Sequence, residues 1–266
     1  MSRRNRLPAF FGLAAAGTAA YYLTQYALRT PSLERRRVIA HRGGARYAPE
    51  NTLAAFAHGA AAGADMLECD VQLTADGQVV VIHDETLERT TSGYGDVGSR
   101  TLAELRELDA GNGERIPTLQ ELIDLAKEAD VELLIELKSP ARYPGLEEHV
   151  LSLLEGSSFL DRSVLQSFDW DSLRRLRQLS PLARLGALYD VGALDVSWPP
   201  ADAEYVCPPA EMVLLNPGLV RQAHNEGRGV FVWMNAVESP LTYRYLAAFG
   251  VDGLIVDDPI AARRAV

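Results

Sequence analysis

The densest group of chemistry-bearing residues lies in Leu67-Glu68-Cys69-Asp70-Val71-Gln72-Leu73-Thr74, followed by Asp76-Gly77 and then Gln78-Val79-Val80-Val81-Ile82-His83-Asp84. Both flanks read as strands, and Asp-Gly between two strand patterns is a strong hairpin signal. With Asp76 and Gly77 as a two-residue loop, Ala75 pairs with Gln78 and Asp70 falls opposite His83. Directly paired side chains share a face at about 5 Å between Cβ atoms, and Glu68, two residues from Asp70, shares it too. The pattern predicts two carboxylates and an imidazole at one place. A solvated strand Glu and a rim His are the bland alternative. Glu68 and Asp70 alternate with Leu67, Cys69 and Val71, however, so helices covering the apolar face would turn both acids inward. Two inward carboxylates repel unless they hold a cation or share a proton.

A second strand, Val131-Glu132-Leu133-Leu134-Ile135-Glu136-Leu137-Lys138, puts Glu136 and Lys138 on one face at its carboxyl end. The chain holds two lysines, Lys127 and Lys138, so Arg is its default cation and a strand-end lysine points to a task, with a Glu136-Lys138 rim pair as the alternative. A third, Val38-Ile39-Ala40-His41-Arg42-Gly43-Gly44, ends in an imidazole, a guanidinium and two glycines. Such glycines let backbone approach a ligand closely. Pro49-Glu50-Asn51-Thr52 then opens a helix that Asn51 or Thr52 can cap. His58, His149 and His224 fall in helical patterns and read as surface residues. Cys69 and Cys207 form no CxxC pair, and Cys69 reads as apolar filler.

These segments need elements to hold them. From Val38 onward short apolar runs alternate with amphipathic stretches, the signature of a parallel sheet with crossover helices. Eight strands are expected near 38–41, 66–71, 132–137, 163–167, 184–188, 212–215, 229–233 and 252–256. The least regular connection holds Trp198, Pro199, Pro200, Pro208 and Pro209. Thr118 and Glu121 have capping-box spacing and predict a helix over 119–129. The expected fold is a (β/α)8 TIM barrel with a β-hairpin excursion and short insertion after the second strand, whose site lies at the carboxyl ends of the strands.

The 266 residues are 47% hydrophobic and 23% charged, with 21 Gly and 14 Pro, which excludes a disulfide mini-protein and a disordered tail. Of 26 basic and 36 acidic residues, seven and one fall within residues 1–37, so the remainder holds 19 and 35, a net −16. Such a body repels nucleic acid and needs local cations or a metal to receive an anionic substrate. Arg3, Arg4 and Arg6 precede 22 uncharged residues, Leu7 to Leu28, about 33 Å of helix. Tyr21, Tyr22 and Tyr26 suit an interfacial anchor. Residues 1–32 are therefore expected to be a membrane anchor ahead of a domain over 33–266, with the catalytic domain extracytoplasmic. A cleaved signal would make the protein secreted, although Tyr26-Ala27-Leu28-Arg29 suits cleavage poorly; an apolar tail on a cytoplasmic protein is the third reading.

His41-Arg42-Gly43, Pro49-Glu50-Asn51-Thr52, Glu68-Cys69-Asp70 with Thr74 and Asp76-Gly77, His83-Asp84, Arg89-Thr90-Thr91, Ile116-Pro117-Thr118-Leu119, Glu136-Leu137-Lys138, Gln166-Ser167-Phe168 and Trp233-Met234-Asn235 resemble, in order, the glycerophosphodiester phosphodiesterase family. The resemblance runs from about Val38 to Pro259. It implies that Glu68, Asp70 and Glu136 ligate one divalent cation and that His41 and His83 are the catalytic pair. It places Arg42 and Lys138 near the phosphate and Trp233 in the substrate pocket; Phe168 fits either pocket or core. One departure is the short path from Leu108-Asp109-Ala110-Gly111 to Ile116-Pro117, which leaves headgroup selectivity open. Carboxylate oxygens favour Ca²⁺, Mg²⁺ or Mn²⁺ over zinc. The implied reaction converts a glycerophosphodiester to glycerol 3-phosphate and an alcohol: the glycerol 2-hydroxyl attacks phosphorus, and water opens the cyclic product. His83 is assigned as base and His41 as acid. The rival readings are a lysophospholipase D acting on membrane lysophospholipids and a non-catalytic barrel that binds a phospholipid headgroup.

Overall fold

The computed structural model describes residues 36–190 and 203–266. Eight parallel strands close into a barrel: β1 (Arg37–Ala40), β2 (Met66–Leu73), β4 (Glu132–Leu137), β5 (Ser163–Ser167), β6 (Arg184–Leu188), β7 (Tyr205–Cys207), β8 (Gly229–Trp233) and β9 (Gly253–Val256). Strand β1 pairs with both β9 and β2, which completes the ring. The remaining strand, β3 (Val79–Val81), runs antiparallel to β2 outside it. The fold is the expected (β/α)8 barrel with a hairpin excursion.

Alternation along the strands sorts the residues. Ile39, Met66, Leu134, Val164, Leu188, Cys207, Phe231 and Ile255 meet in the barrel interior. Their neighbours Ala40, Leu67, Cys69, Leu133, Ile135 and Leu165 face outward into a layer shared with helices Leu119–Glu128 and Leu146–Gly156. Because the strand period is two, each interior row continues upward in steps of two: Ile39 to His41, Met66 to Glu68 and Asp70, Leu134 to Glu136 and Lys138, Val164 to Gln166, Phe231 to Trp233, Ile255 to Asp257. The polar site is the top of the same rows that make the apolar core. Helix Leu119–Glu128 opens with the expected Thr118–Glu121 capping box.

Several expectations are corrected. Residues 212–215 belong to helix Ala210–Leu215, and the sixth barrel strand is Tyr205–Cys207 instead. A short apolar run does not separate strand from buried helix by periodicity; here Pro208 and Pro209 end the strand and start the helix.

The hairpin register is one residue off: Val71 pairs with Val81 and Gln72 with Val80, and Ile82 N–H donates to the Asp70 carbonyl at 2.9 Å. Thr74 N–H donates to the Gln78 carbonyl at 3.0 Å, so Ala75, Asp76 and Gly77 form a three-residue loop with Gly77 at φ +75°. Asp70 therefore faces Ile82. Val80 and Ile82 join Leu87, Val97, Leu105 and Ile116 in a small core under the insertion, and His83 arrives only after the chain leaves the ladder.

Of the two glycines after Arg42, Gly43 is required by packing. A Cβ on Gly43 (φ +86°) would lie 2.7 Å from the Ala55 carbonyl carbon and the Phe56 nitrogen, so the loop sits directly on helix Leu53–Ala61.

The expected anchor over 1–32 lies outside the described residues. Among the described residues no helix is long and apolar enough to cross a membrane; the 11 residues of Leu146–Gly156 fall far short of the roughly 20 a span requires. The expectations of a transmembrane helix, a membrane partner and an extracytoplasmic or secreted location are corrected accordingly.

Candidate active site

Glu68 and Asp70 rise from β2 and Glu136 from the adjacent β4, where Asp70 and Glu136 are register partners. One oxygen from each lies within 4.8 Å of the others, and Glu68 and Asp70 are each only 1% exposed. Burial, then repulsion from Asp70 and Glu136, pushes the Glu68 carboxyl up to about 8. Burial likewise raises Glu136 to about 6, against the pull of Lys138. For Asp70 burial acts upward, but Lys138, Arg42, His83 and an Asn51 hydrogen bond outweigh it and hold the group below its ordinary value. Three buried acids that resist ionising together are stabilised by a cation among them, and an all-oxygen donor set suits a hard divalent ion. The trio can hold one.

The two imidazoles flank the acids in one matching arrangement. His41 Nδ1 lies 2.6 Å from Asp257 Oδ1 and His83 Nδ1 lies 2.6 Å from Asp84 Oδ1. A carboxylate only accepts, so each Nδ1 carries the proton and each Nε2 is the accepting nitrogen, that of His83 facing Lys138 Nζ. Their environments differ. Burial alone would lower His41, but the Asp257 hydrogen bond and the Glu68 charge raise it above 6.5. Burial also leads at His83, and with Lys138 and Arg42 it keeps that ring below 6.5 despite Asp70 and Asp84. Lys138 Nζ sits 3.2 Å from His83 Nε2 and 2.8 Å from Glu136 Oε1.

Arg42 adopts φ +50° and donates its backbone N–H to Glu68 Oε2 at 2.8 Å, tying the first strand's loop to the acidic trio. Its Nη1 donates to Glu50 Oε1 at 2.7 Å, while its Nε is buried and makes no hydrogen bond, lying 3.6 Å from Asp70 Oδ2 as an ion pair. Gln166 Oε1 and Trp233 Nε1 are also buried without a hydrogen bond. These three atoms belong to residues lining one cleft of ≈ 390 Å³, which also takes in His41, Glu68, His83, Glu136, Lys138 and Asp257. Unsatisfied buried polar groups are costly and ordinarily have a partner, so two donors and one acceptor suit the cleft to a polar ligand that both accepts and donates. Phe168, 44% exposed, meets the Trp233 ring edge-on at 6.2 Å and lies on the pocket side.

All eight residues expected at the site converge here. Sequence reasoning missed their supports. Asp257, which holds His41, stands two residues beyond interior Ile255, a signal the alternation already carried. The Asp257 and Asp258 backbone N–H groups both donate to Glu238. Asn51, considered as a helix cap, instead donates to Asp70 Oδ2 at 2.8 Å and accepts from Asp70 N–H at 3.3 Å; Thr52 caps the helix. Gln72 donates toward the carbonyls of Ile82, His83 and Asp84 at 3.1, 3.0 and 2.7 Å and accepts from the Tyr143 hydroxyl at 2.7 Å. No local pattern announces that contact.

The sequence profile of the glycerophosphoryl diester phosphodiesterase family matches residues 41–261. A glycerophosphodiester phosphodiesterase of Caldanaerobacter subterraneus subsp. tengcongensis is 40% identical over 232 residues, covering 84% of this chain and 94% of that one. Among solved structures, a putative glycerophosphoryl diester phosphodiesterase from Silicibacter pomeroyi superposes with a TM-score of 0.80 at 31% identity, over 88% of this chain and 94% of the other. An Oleispira antarctica phosphodiesterase, solved with the product sn-glycerol-3-phosphate, gives 0.77 at 29%, over 86% and 96%. With its barrel, its acidic trio and these likenesses, the chain belongs to the glycerophosphoryl diester phosphodiesterase family and is a phosphoric-diester hydrolase.

Proposed function

We propose that this hydrolase cleaves glycerophosphodiesters to glycerol 3-phosphate and an alcohol, with His83 as general base, His41 as general acid and one divalent cation held by Glu68, Asp70 and Glu136. The observation that carries the reading is the pair of imidazoles, each fixed at Nδ1 by a carboxylate beside the acidic trio, with opposite shifts. A base must be neutral and an acid protonated at the working pH; the lowered ring suits the first and the raised ring the second.

Ca²⁺ or Mg²⁺, with Mn²⁺ also compatible, supplies Lewis-acid polarisation of a phosphoryl oxygen when bound. Arg42 Nε and Lys138 place positive charge where the phosphoryl oxygens gather negative charge in the transition state. His83 Nε2 exchanges its contact with Lys138 Nζ for the glycerol 2-hydroxyl and takes that proton as the oxygen attacks phosphorus. The bond from phosphorus to the alcohol oxygen breaks, and His41 gives that oxygen a proton. Water then opens the cyclic glycerophosphate with the two histidines in exchanged roles. Trp233 walls the pocket. The product seen with the Oleispira antarctica relative is the one this reaction releases.

The test incubates the chain with glycerophosphocholine and, separately, lysophosphatidylcholine, in Ca²⁺, Mg²⁺ or EDTA. Equal release of choline and glycerol 3-phosphate that EDTA stops, and that Glu68→Gln abolishes, is the expected result. Phosphocholine as product, or no turnover with any divalent ion, would sink the reading. Faster cleavage of the lysolipid would make the enzyme a lysophospholipase D.

A further inference from the structure

We propose that Arg89, which lies outside the cleft, is a positioning residue that ties the His83–Asp84 pair to the Glu50–Arg42 pair and holds both in one register; the proposal rests on the roles given above to His83 and Arg42. The Arg89 guanidinium is a double fork. Nε and Nη2 donate to Asp84 Oδ2 and Oδ1 at 2.5 and 2.8 Å, and Nη1 and Nη2 donate to Glu50 Oε2 and Oε1 at 2.8 Å each. Asp84 Oδ1 is also the oxygen that accepts from His83 Nδ1, and Glu50 Oε1 is the one that accepts from Arg42 Nη1. A continuous path of short contacts thus runs from His83 through Asp84, the single nitrogen Nη2 of Arg89, and Glu50 to Arg42.

A lone exposed ion pair does little, because solvent screens it and ordering two long side chains costs entropy. The Arg89 side chain is 47% exposed, but its partners are 25% and 18% exposed, and planar two-pronged contacts set orientation as well as charge. Without Arg89, Asp84 can turn and the His83 Nδ1–H loses its fixed partner, leaving the ring held at Nε2 by Lys138 alone. Glu50 would also keep only Arg42 as a partner, competing with a phosphate for that guanidinium. Arg89 therefore acts on kcat through His83 and on KM through Arg42. Lysine cannot replace it, since one ammonium cannot reproduce four bonds to two carboxylates.

The test compares the full chain with Arg89→Ala, Arg89→Gln and Arg89→Lys in the presence of Mg²⁺. Arg89→Gln keeps bulk should the alanine form fail to fold, and Arg174→Ala, which removes the exposed pair with Asp171, serves as control. Two readouts are taken: glycerophosphocholine turnover, and ¹⁵N signals of the histidine rings, with His83 assigned by their loss in His83→Asn. We expect a sharp, hydrogen-bonded Nδ1–H signal of His83 in the wild type and a shifted, exchange-broadened one in all three Arg89 variants. Turnover should fall roughly 10- to 100-fold with a higher KM, remain low in the lysine form, and recover in part when millimolar guanidinium is added to Arg89→Ala. Unchanged ring signals, or full activity in Arg89→Lys, would overturn the proposal. A wild type without turnover would refute the proposed function, and the ring signals would still decide the role of Arg89.

Discussion

A buried carboxylate is useful only when its oxygens are aimed; Lys138 aims Glu136 as their spacing suggested, but Asp70 is aimed by a neighbour that sequence spacing did not reveal. Asn51 clasps Asp70 from side chain and backbone at once, and it does so at φ +57°, a conformation that Asn tolerates better than most residues. Asn51→Gly keeps that conformation accessible and removes the amide alone. With Asp70 in its proposed role as a ligand, divalent-ion affinity should drop roughly 10- to 100-fold, the usual cost of losing an outer partner of a metal ligand. Titration calorimetry with Mg²⁺ or Ca²⁺ measures this, and wild-type affinity would show that Asn51 serves only the turn.

At the scale of elements, the insertion between β2 and helix Leu119–Glu128 brings its own apolar core and delivers His83 across to the barrel. The delivery depends on Gln72, whose amide gathers three successive carbonyls as the chain leaves β3. Gln72→Leu retains bulk but strips those carbonyls of their partner. Buried unsatisfied polar groups cost about 1–3 kcal/mol each, so urea unfolding should show at least that loss. Turnover at saturating substrate should fall at least tenfold as His83 drifts. A variant that loses stability yet keeps kcat would mean that the segment is fixed by its own core. The hairpin register belongs to this scale as well. The Asp-Gly pair correctly marked a turn. What selects the three-residue form is Thr74, whose hydroxyl accepts from Gln78 N–H at 2.8 Å and donates to Asp76 at 2.6 Å.

For the whole molecule, a body with many more acids than bases concentrates its site cations, Arg42 and Lys138, at the end of the barrel where the acids also meet. The metal-free protein should feel that crowding. Glu68 and Glu136 are raised from 4.5 to about 8 and about 6, so between pH 4.5 and 8 the folded chain holds protons that the unfolded chain has released. Stability must then fall as pH rises through that window, by an amount on the order of a few kcal/mol for Glu68. Thermal unfolding in EDTA should find wild type and Glu68→Gln alike near pH 5, with the wild type progressively less stable than the variant toward pH 8. Divalent ions should stabilise the wild type more at pH 8 than at pH 5, where protons compete for the same oxygens. A gap that does not change with pH would contradict the crowded-acid account.

The amino-acid sequence by itself determined the barrel class, seven of its eight strands, a capped helix expected over 119–129 and found over Leu119–Glu128, and the set of polar residues that share the inner rows. Those features follow from short-range rules, the period of two along a strand and the capping of a helix start, which any few consecutive residues express. Only the tertiary structure decided the register of β3, the place of the sixth barrel strand and the close packing of Gly43. It also decided which partners aim the site. Arg89 and Glu50 are separated by 39 residues, Gln72 and Tyr143 by 71, and His41 and Asp257 by 216. Contacts across such distances leave no local period. They exist because barrel closure and docking of the insertion bring such residues together; alternation could place Asp257 on an inner row, but not name His41 as its partner.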